Sequence, residues 1–298
     1  MIICRRNITS SLIEVIETDA FCRLPHLTNL SLEANRLQAL TFGSFNCLSN
    51  LKLLMLRSNA LLHIESKAFC MLQNLQYLIL DNNRLKAMSQ GDFGCLLNLK
   101  YLYLEYNAIE EIEPSSFINL NKIRMLDLAG NRLKIIRRTT FAGLQSMQYL
   151  NMDNNNIQLI ESEAFCSMPN LLFMSISGNK LFKVSNGSLT CLSHLIGIDF
   201  SDNKLSRIQP NNFANLANLQ ELQLAGNAIR TIESGSFCKL KNLKVLSVTG
   251  NNLESLKPGH IDCLTNLMEL YVYFTRQKLK PIIYFLATLC LSSHQIEK

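Results

Sequence analysis

Along most of the chain, apolar and polar positions follow one fixed frame. In LQYLILDNNRLKAM, residues 75–88, the pattern is L-x-x-L-x-L-x-x-N-x-L-x-x-I, with Leu75, Leu78, Leu80, Leu85 and Met88 at the apolar places. It recurs 24 residues earlier as LKLLMLRSNALLHI and 24 residues later as LKYLYLEYNAIEEI. Its asparagine falls at Asn35, Asn59, Asn83, Asn107, Asn131, Asn155, Asn179, Asn203, Asn227 and Asn251. A phenylalanine follows at Phe21, Phe45, Phe69, Phe93, Phe117, Phe141, Phe165, Phe213 and Phe237, with Leu189 and Ile261 as substitutes. Each x-L-x-L-x stretch alternates with the period of a β-strand, one set of side chains inward and the other outward.

Repetition at this period predicts stacked turns that share a continuous core. The expected fold is an α/β solenoid of about eleven 24-residue turns, curved as a horseshoe, with a parallel β-sheet on its concave face. The solenoid is assigned to 12–272, between an N-terminal flank, 1–11, and an irregular C-terminal segment or cap, 273–298. The asparagine amide both donates and accepts, so stacked asparagines can satisfy the backbone of the bend after each strand. The phenylalanine is expected to fill the convex side. Pro114, Pro210 and Pro258 recur at one convex position and mark irregular or helical-turn entry rather than a paired strand.

The outward strand positions carry the candidate binding surface. The first of them reads Leu53, Tyr77, Tyr101, Met125, Tyr149 and Phe173 in successive turns, then Gly197 and Glu221. Tyr103 and Tyr106 join this stripe. Beside it run Asp81, Glu105, Asp127, Asp153, Asp199 and Asp202, so an acidic, tyrosine-rich concavity is expected to take a protein or peptide with a basic, partly apolar surface. A contiguous exposed apolar stripe is unusual without a partner, and tyrosine is enriched at binding hot spots.

Composition adds two points. Apolar residues make up 48%, enough for a core, and the net charge is +6 with no long like-charge run. A basic row on the bends leaving the strands, Arg132, Lys134, Arg137, Arg138, Lys180 and Lys183, is a second candidate surface, for a polyanion such as nucleic acid or a sulfated glycan. The alternative is an ordinary solvated edge.

Of ten cysteines, eight fall into pairs 25 residues apart: Cys22 and Cys47, Cys70 and Cys95, Cys166 and Cys191, Cys238 and Cys263. Where the first place holds Ile118, Ala142 or Ala214, the second also lacks cysteine. Adjacent turns stand at a distance a disulfide can bridge, so four inter-turn disulfides and an oxidising compartment are expected. Cys4 and Cys290 are left unassigned. Three N-x-[ST] sequons agree with that compartment, Asn7, Asn29 and Asn186, of which Asn186 lies in a bend and Asn29 on a strand face.

No catalytic or cofactor motif is present: no glycine-rich phosphate loop, no H-E-x-x-H and no C-x-x-C. The reading is a binding module, not an enzyme, with no cofactor and no metal. MIICRRN lacks the apolar core of a secretory leader. The apolar run in PIIYFLATLCLSS is about half the roughly 20 residues a membrane-spanning helix needs, which favours a short capping segment, or foreign or truncated sequence, over a membrane helix.

This 24-residue frame, with its Asn, its Phe and Phe-Cys-x-Leu turns as in GSFCKLKNLKVLSVTGNNLESL, resembles the extracellular leucine-rich repeats, and within them Toll-like receptor ectodomains. The resemblance implies a ligand-binding horseshoe, outside the cell, that often pairs as a homo- or heterodimer and signals through other parts of its chain. Those parts, the clustered flanking cysteines and the long inserted loops have no match here, so the chain reads as a fragment, a truncated product or a secreted relative. Adhesion and matrix-binding proteins share the frame, and a module of that kind with no signalling role is the second reading.

Overall fold

The computed structural model describes residues 5–257 and 259–273. Twelve three-residue strands form one parallel sheet in which neighbours in space are neighbours in the repeat. The sheet runs from Arg5–Asn7 through Asn29–Ser31 and Tyr77–Ile79 to Glu269–Tyr271. Register is constant at one repeat: Tyr77 pairs with Tyr101, Tyr101 with Met125, Tyr149 with Phe173. The first strand belongs to the flank 1–11, so the sheet begins inside that flank. The convex stretches are runs of turns, with no α-helix among the described residues.

The core follows the frame. Leu78, Leu80, Leu102 and Leu104 are fully buried, as are Phe45, Phe117 and Phe141. Successive convex phenylalanines stack, with Phe45 and Phe69 centroids 5.9 Å apart and Phe141 and Phe165 6.0 Å apart. Such offset contacts add a little to the area they bury. The asparagines act as expected. Asn131 accepts the Ile109 N–H at 3.0 Å and donates to the carbonyls of Leu104 and Leu128, both at 2.9 Å. One buried amide therefore satisfies backbone groups of two turns, and the same pattern recurs at Asn83 and Asn203.

A second asparagine ladder lies on the other side of the turns. Asn50, Asn74, Asn98, Asn170, Asn218, Asn242 and Asn266 each donate to the carbonyl 25 residues earlier. His194 occupies the same phase and its Nδ1 lies 3.0 Å from the Pro169 carbonyl.

All four expected cysteine pairs are bonded, with Cα separations of 4.9 Å for the first three and 5.1 Å for Cys238–Cys263. They alternate with short two-residue ladders that also join adjacent turns. Named by their asparagines, the Asn35 and Asn59 turns share a ladder (Ala39–Leu40 with His63–Ile64). The Asn59 and Asn83 turns share Cys70–Cys95, and the Asn83 and Asn107 turns share a ladder again. Ladders also join Asn131 to Asn155 and Asn203 to Asn227, with disulfides between Asn155 and Asn179 and between Asn227 and Asn251. The Asn107–Asn131 joint has neither link, but Gly143 lies so close to Phe117 and Ile118 that a Cβ there would meet backbone at 2.5 Å. The Asn179–Asn203 joint has neither link, and the side chain of Asn212 reaches across it to the Val184 carbonyl at 2.9 Å.

No helix among the described residues is long and apolar enough to cross a membrane. The apolar run in PIIYFLATLCLSS, Cys4 and Cys290 lie outside the described residues.

Candidate functional site: the concave sheet

Along most concave strands the second residue is buried and the first and third face outward, open to different degrees, as in the half-buried, buried, half-buried pattern of Tyr77–Ile79 and Tyr101–Tyr103; in Met125–Asp127 and Phe173–Ser175 the third residue is buried too. Constant register therefore sets like positions side by side. The Tyr77 and Tyr101 rings stack at 4.6 Å, tilted by 5°. Tyr149 and Phe173 stack at 5.2 Å, tilted by 10°. Met125 pairs with both Tyr101 and Tyr149, so it sits between the two aromatic pairs. Tyr149 is 37% exposed. The stripe ends at Gly197, which lies under Phe173: a Cβ there would come within 2.9 Å of the ring. Tyr103 is half-buried, and burial followed by the neighbouring Asp127 lifts its phenol to about 12.

The carboxylates beside the stripe differ from the expectation of an open acidic row. Asp81 and Asp127 are only 8% and 4% exposed. Asp81 accepts the Glu105 N–H at 3.1 Å. Asp127 accepts the Ala129 N–H and the Asn151 amide, both at 3.0 Å. Asp153 is half-buried and accepts the Ser175 hydroxyl at 2.6 Å and the Ser177 N–H at 2.7 Å. These side chains point out of the leucine core, as alternation requires. They then fold onto amides of their own or the next turn instead of standing in solvent. Burial first, and the Glu105 carboxylate second, raise Asp81 to about 7 and Asp127 to about 8. Near neutral pH the concavity therefore carries less negative charge than a count of its acids suggests.

The lateral cations are largely answered. Arg132 and Lys134 reach Glu110 at 3.8 and 3.7 Å, Arg137 reaches Glu111 at 3.9 Å, and Arg138 reaches Glu163 at 2.9 Å. Among the described residues Lys180 has no ion-pair partner, and Lys183 stands 5.6 Å from the centre of the Phe182 ring. So the row splits into a neutralised part around Arg137 and a cationic remainder around Lys183. Of the sequons, Asn7 is exposed on the first strand and Asn186 is exposed in a convex bend. Asn29 is half-buried in a strand paired on both sides.

Leucine rich repeats match residues 25–85, 73–133, 126–181, 174–229 and 217–276, and the chain belongs to this family. No curated protein matches this sequence. Solved structures agree on the fold. The glycosylated Toll–Spatzle complex of Drosophila superposes with a TM-score of 0.84 at 21% identity, over 90% of this chain and 38% of that one. A TLR13–ssRNA13 complex superposes at 0.67 and 22%, over 88% and 48%. An internalin of Listeria monocytogenes superposes at 0.63 and 21%, over 92% and 83%. The chain thus resembles a Toll-like receptor ectodomain and spans well under half of the Toll chain it matches.

Proposed function

We propose that this chain is an extracellular recognition module of innate-immune receptor type, and that it binds a protein or peptide across the concave strands from Leu53–Met55 to Phe173–Ser175. The observation that carries the reading is the pair of solvent-facing aromatic stacks, Tyr77 with Tyr101 and Tyr149 with Phe173, set on one rigid sheet. Rigid aromatic side chains give contact area at little entropic cost, and such residues dominate binding energy at interfaces. Tyr103, Glu105 and Asp153 supply polar partners around them. Asp81 and Asp127 contribute through the shape of the sheet and through Glu105, not as open carboxylates. Four disulfides and the likeness to Toll support placement outside the cell, and the Toll structure holds a protein ligand.

The lateral row supports a polyanion less well, because Arg132, Lys134, Arg137 and Arg138 already face carboxylates, and exposed cations bind polyanions by releasing counterions from unpaired charge. The test is a binding screen of the secreted protein against arrayed ectodomains and secreted proteins, followed by hydrogen-exchange footprinting of any complex. Protection centred on residues 77–79, 101–103 and 149–151 is expected. Protection confined to the convex or lateral surface would remove the concave reading.

A further inference from the structure

The Asn179–Asn203 joint, which has no ladder and no disulfide, opens on its convex side into a cleft of about 450 Å³. Its walls include Phe182, Val184, Asn186, Arg207, Gln209 and Asn212. Phe182 is 53% exposed, with the Lys183 ammonium 5.6 Å from its ring centre. Arg207 and Gln209 are held against the Glu233 carboxylate at 2.6 and 3.2 Å, so the polar wall is fixed in position. One wall residue is itself an attachment point. Asn186 is exposed and begins Asn186-Gly187-Ser188, and Gly187 turns the bend at φ +82°.

We infer that the cleft is filled by the chain's own carbohydrate: the first N-acetylglucosamine of a glycan on Asn186 packs into it and adds a link between two turns whose convex sides share no ladder and no disulfide, only the Asn212–Val184 bond. The chemistry matches the walls. A pyranose presents an apolar C–H face suited to an aromatic ring such as Phe182, while its acetamido group and hydroxyls can bond Gln209 and Arg207. Clefts of this volume hold small ligands by such mixed contacts. Tethering the sugar to the wall removes most of the entropy cost that a free sugar would meet. The neighbouring joints need no such filling, since disulfides, ladders or the Gly143 contact already close them. The cationic character at Lys183 could instead suggest a free anionic ligand. Its ammonium lies over the Phe182 ring, however, and a glycan on Asn186 would block the entrance.

The inference rests on the extracellular reading, and the test separates the two. Protein secreted from mammalian cells is mapped for disulfides and for glycan occupancy. Amide exchange in residues 182–186 and 206–212 is then compared among the protein with its glycan trimmed to one sugar, Asn186→Gln, and Phe182→Ala with its glycan intact. The expected result is an occupied Asn186, protection at least tenfold greater in the single-sugar protein than in Asn186→Gln, and loss of that protection in Phe182→Ala. Phe182→Ala keeps the sequon, so the comparison survives if Asn186→Gln folds poorly. A bare Asn186 in protein whose four disulfides have formed overturns this inference and leaves the extracellular reading standing. Equal exchange in all three forms also overturns it.

Discussion

A single position can face out of the core and still be shut away from water. Asp81 and Asp127 show this: alternation along the strand gave their direction correctly, but not their burial, which depends on what the next turn places over them. Their burial has a pH consequence. A carboxyl raised in the folded state binds its proton more tightly when folded, so the stability it adds is complete below the ordinary carboxylate range and is lost as pH rises through its folded value. With Asp81 near 7 and Asp127 near 8, stability should fall from about pH 4 upward and level off above about pH 8. Asp81→Asn keeps an oxygen for the Glu105 N–H and removes the charge, so it should flatten the fall through pH 7. Denaturant unfolding at about pH 5 and about pH 7.5 measures this, and equal pH slopes for the two proteins would contradict it. The two asparagine ladders make a second residue-scale contrast. Asn131→Ala strands buried backbone groups and should cost at least about 1–3 kcal/mol. Asn170→Ala frees an exposed carbonyl that water can reach, and should cost less than about 1 kcal/mol.

At the scale of the turn, sequence spacing carried most of the architecture. The leucines, the buried asparagines, the phenylalanine stack and the four cysteine pairs all repeat at fixed offsets, and constant register turns each offset into a contact. The second asparagine ladder had the same signal, seven asparagines at one phase, but it is exposed and outside the leucine frame. The lateral ion pairs were readable in principle too, since Arg137 and Glu111 sit near one repeat apart. What spacing alone does not show is whether two long side chains meet. The alternation of disulfides and ladders predicts a graded response to reduction. Removing Cys70–Cys95 by a double alanine substitution should cost about 3 kcal/mol in the chain-entropy model, since it frees a loop of about 25 residues. Exchange should rise on the convex side of the Asn59 and Asn83 turns, while the concave strands there stay protected. A loss of protection spread evenly along the solenoid would contradict nearest-neighbour stabilisation.

For the whole molecule, the sheet is a rigid ruler whose 24-residue register lines up aromatic side chains that are far apart in sequence. The family and the fold follow from repetition. The site does not, because outward positions are free of the frame and only their chemistry singles them out. The acidic row is partly inward-folded and the basic row partly paired with carboxylates, so the proposed concave recognition rests on the two aromatic stacks. The most direct test is the affinity of a partner captured by the wild-type protein for two double variants, Tyr101→Ala with Tyr149→Ala, and Arg137→Glu with Arg138→Glu. Circular dichroism and unfolding should show both folded, since all four side chains lie outside the leucine core. Concave recognition predicts a loss of about a hundredfold or more for the tyrosine variant and little change for the arginine variant. Unchanged binding by the tyrosine variant, with binding lost in the arginine variant, would contradict it.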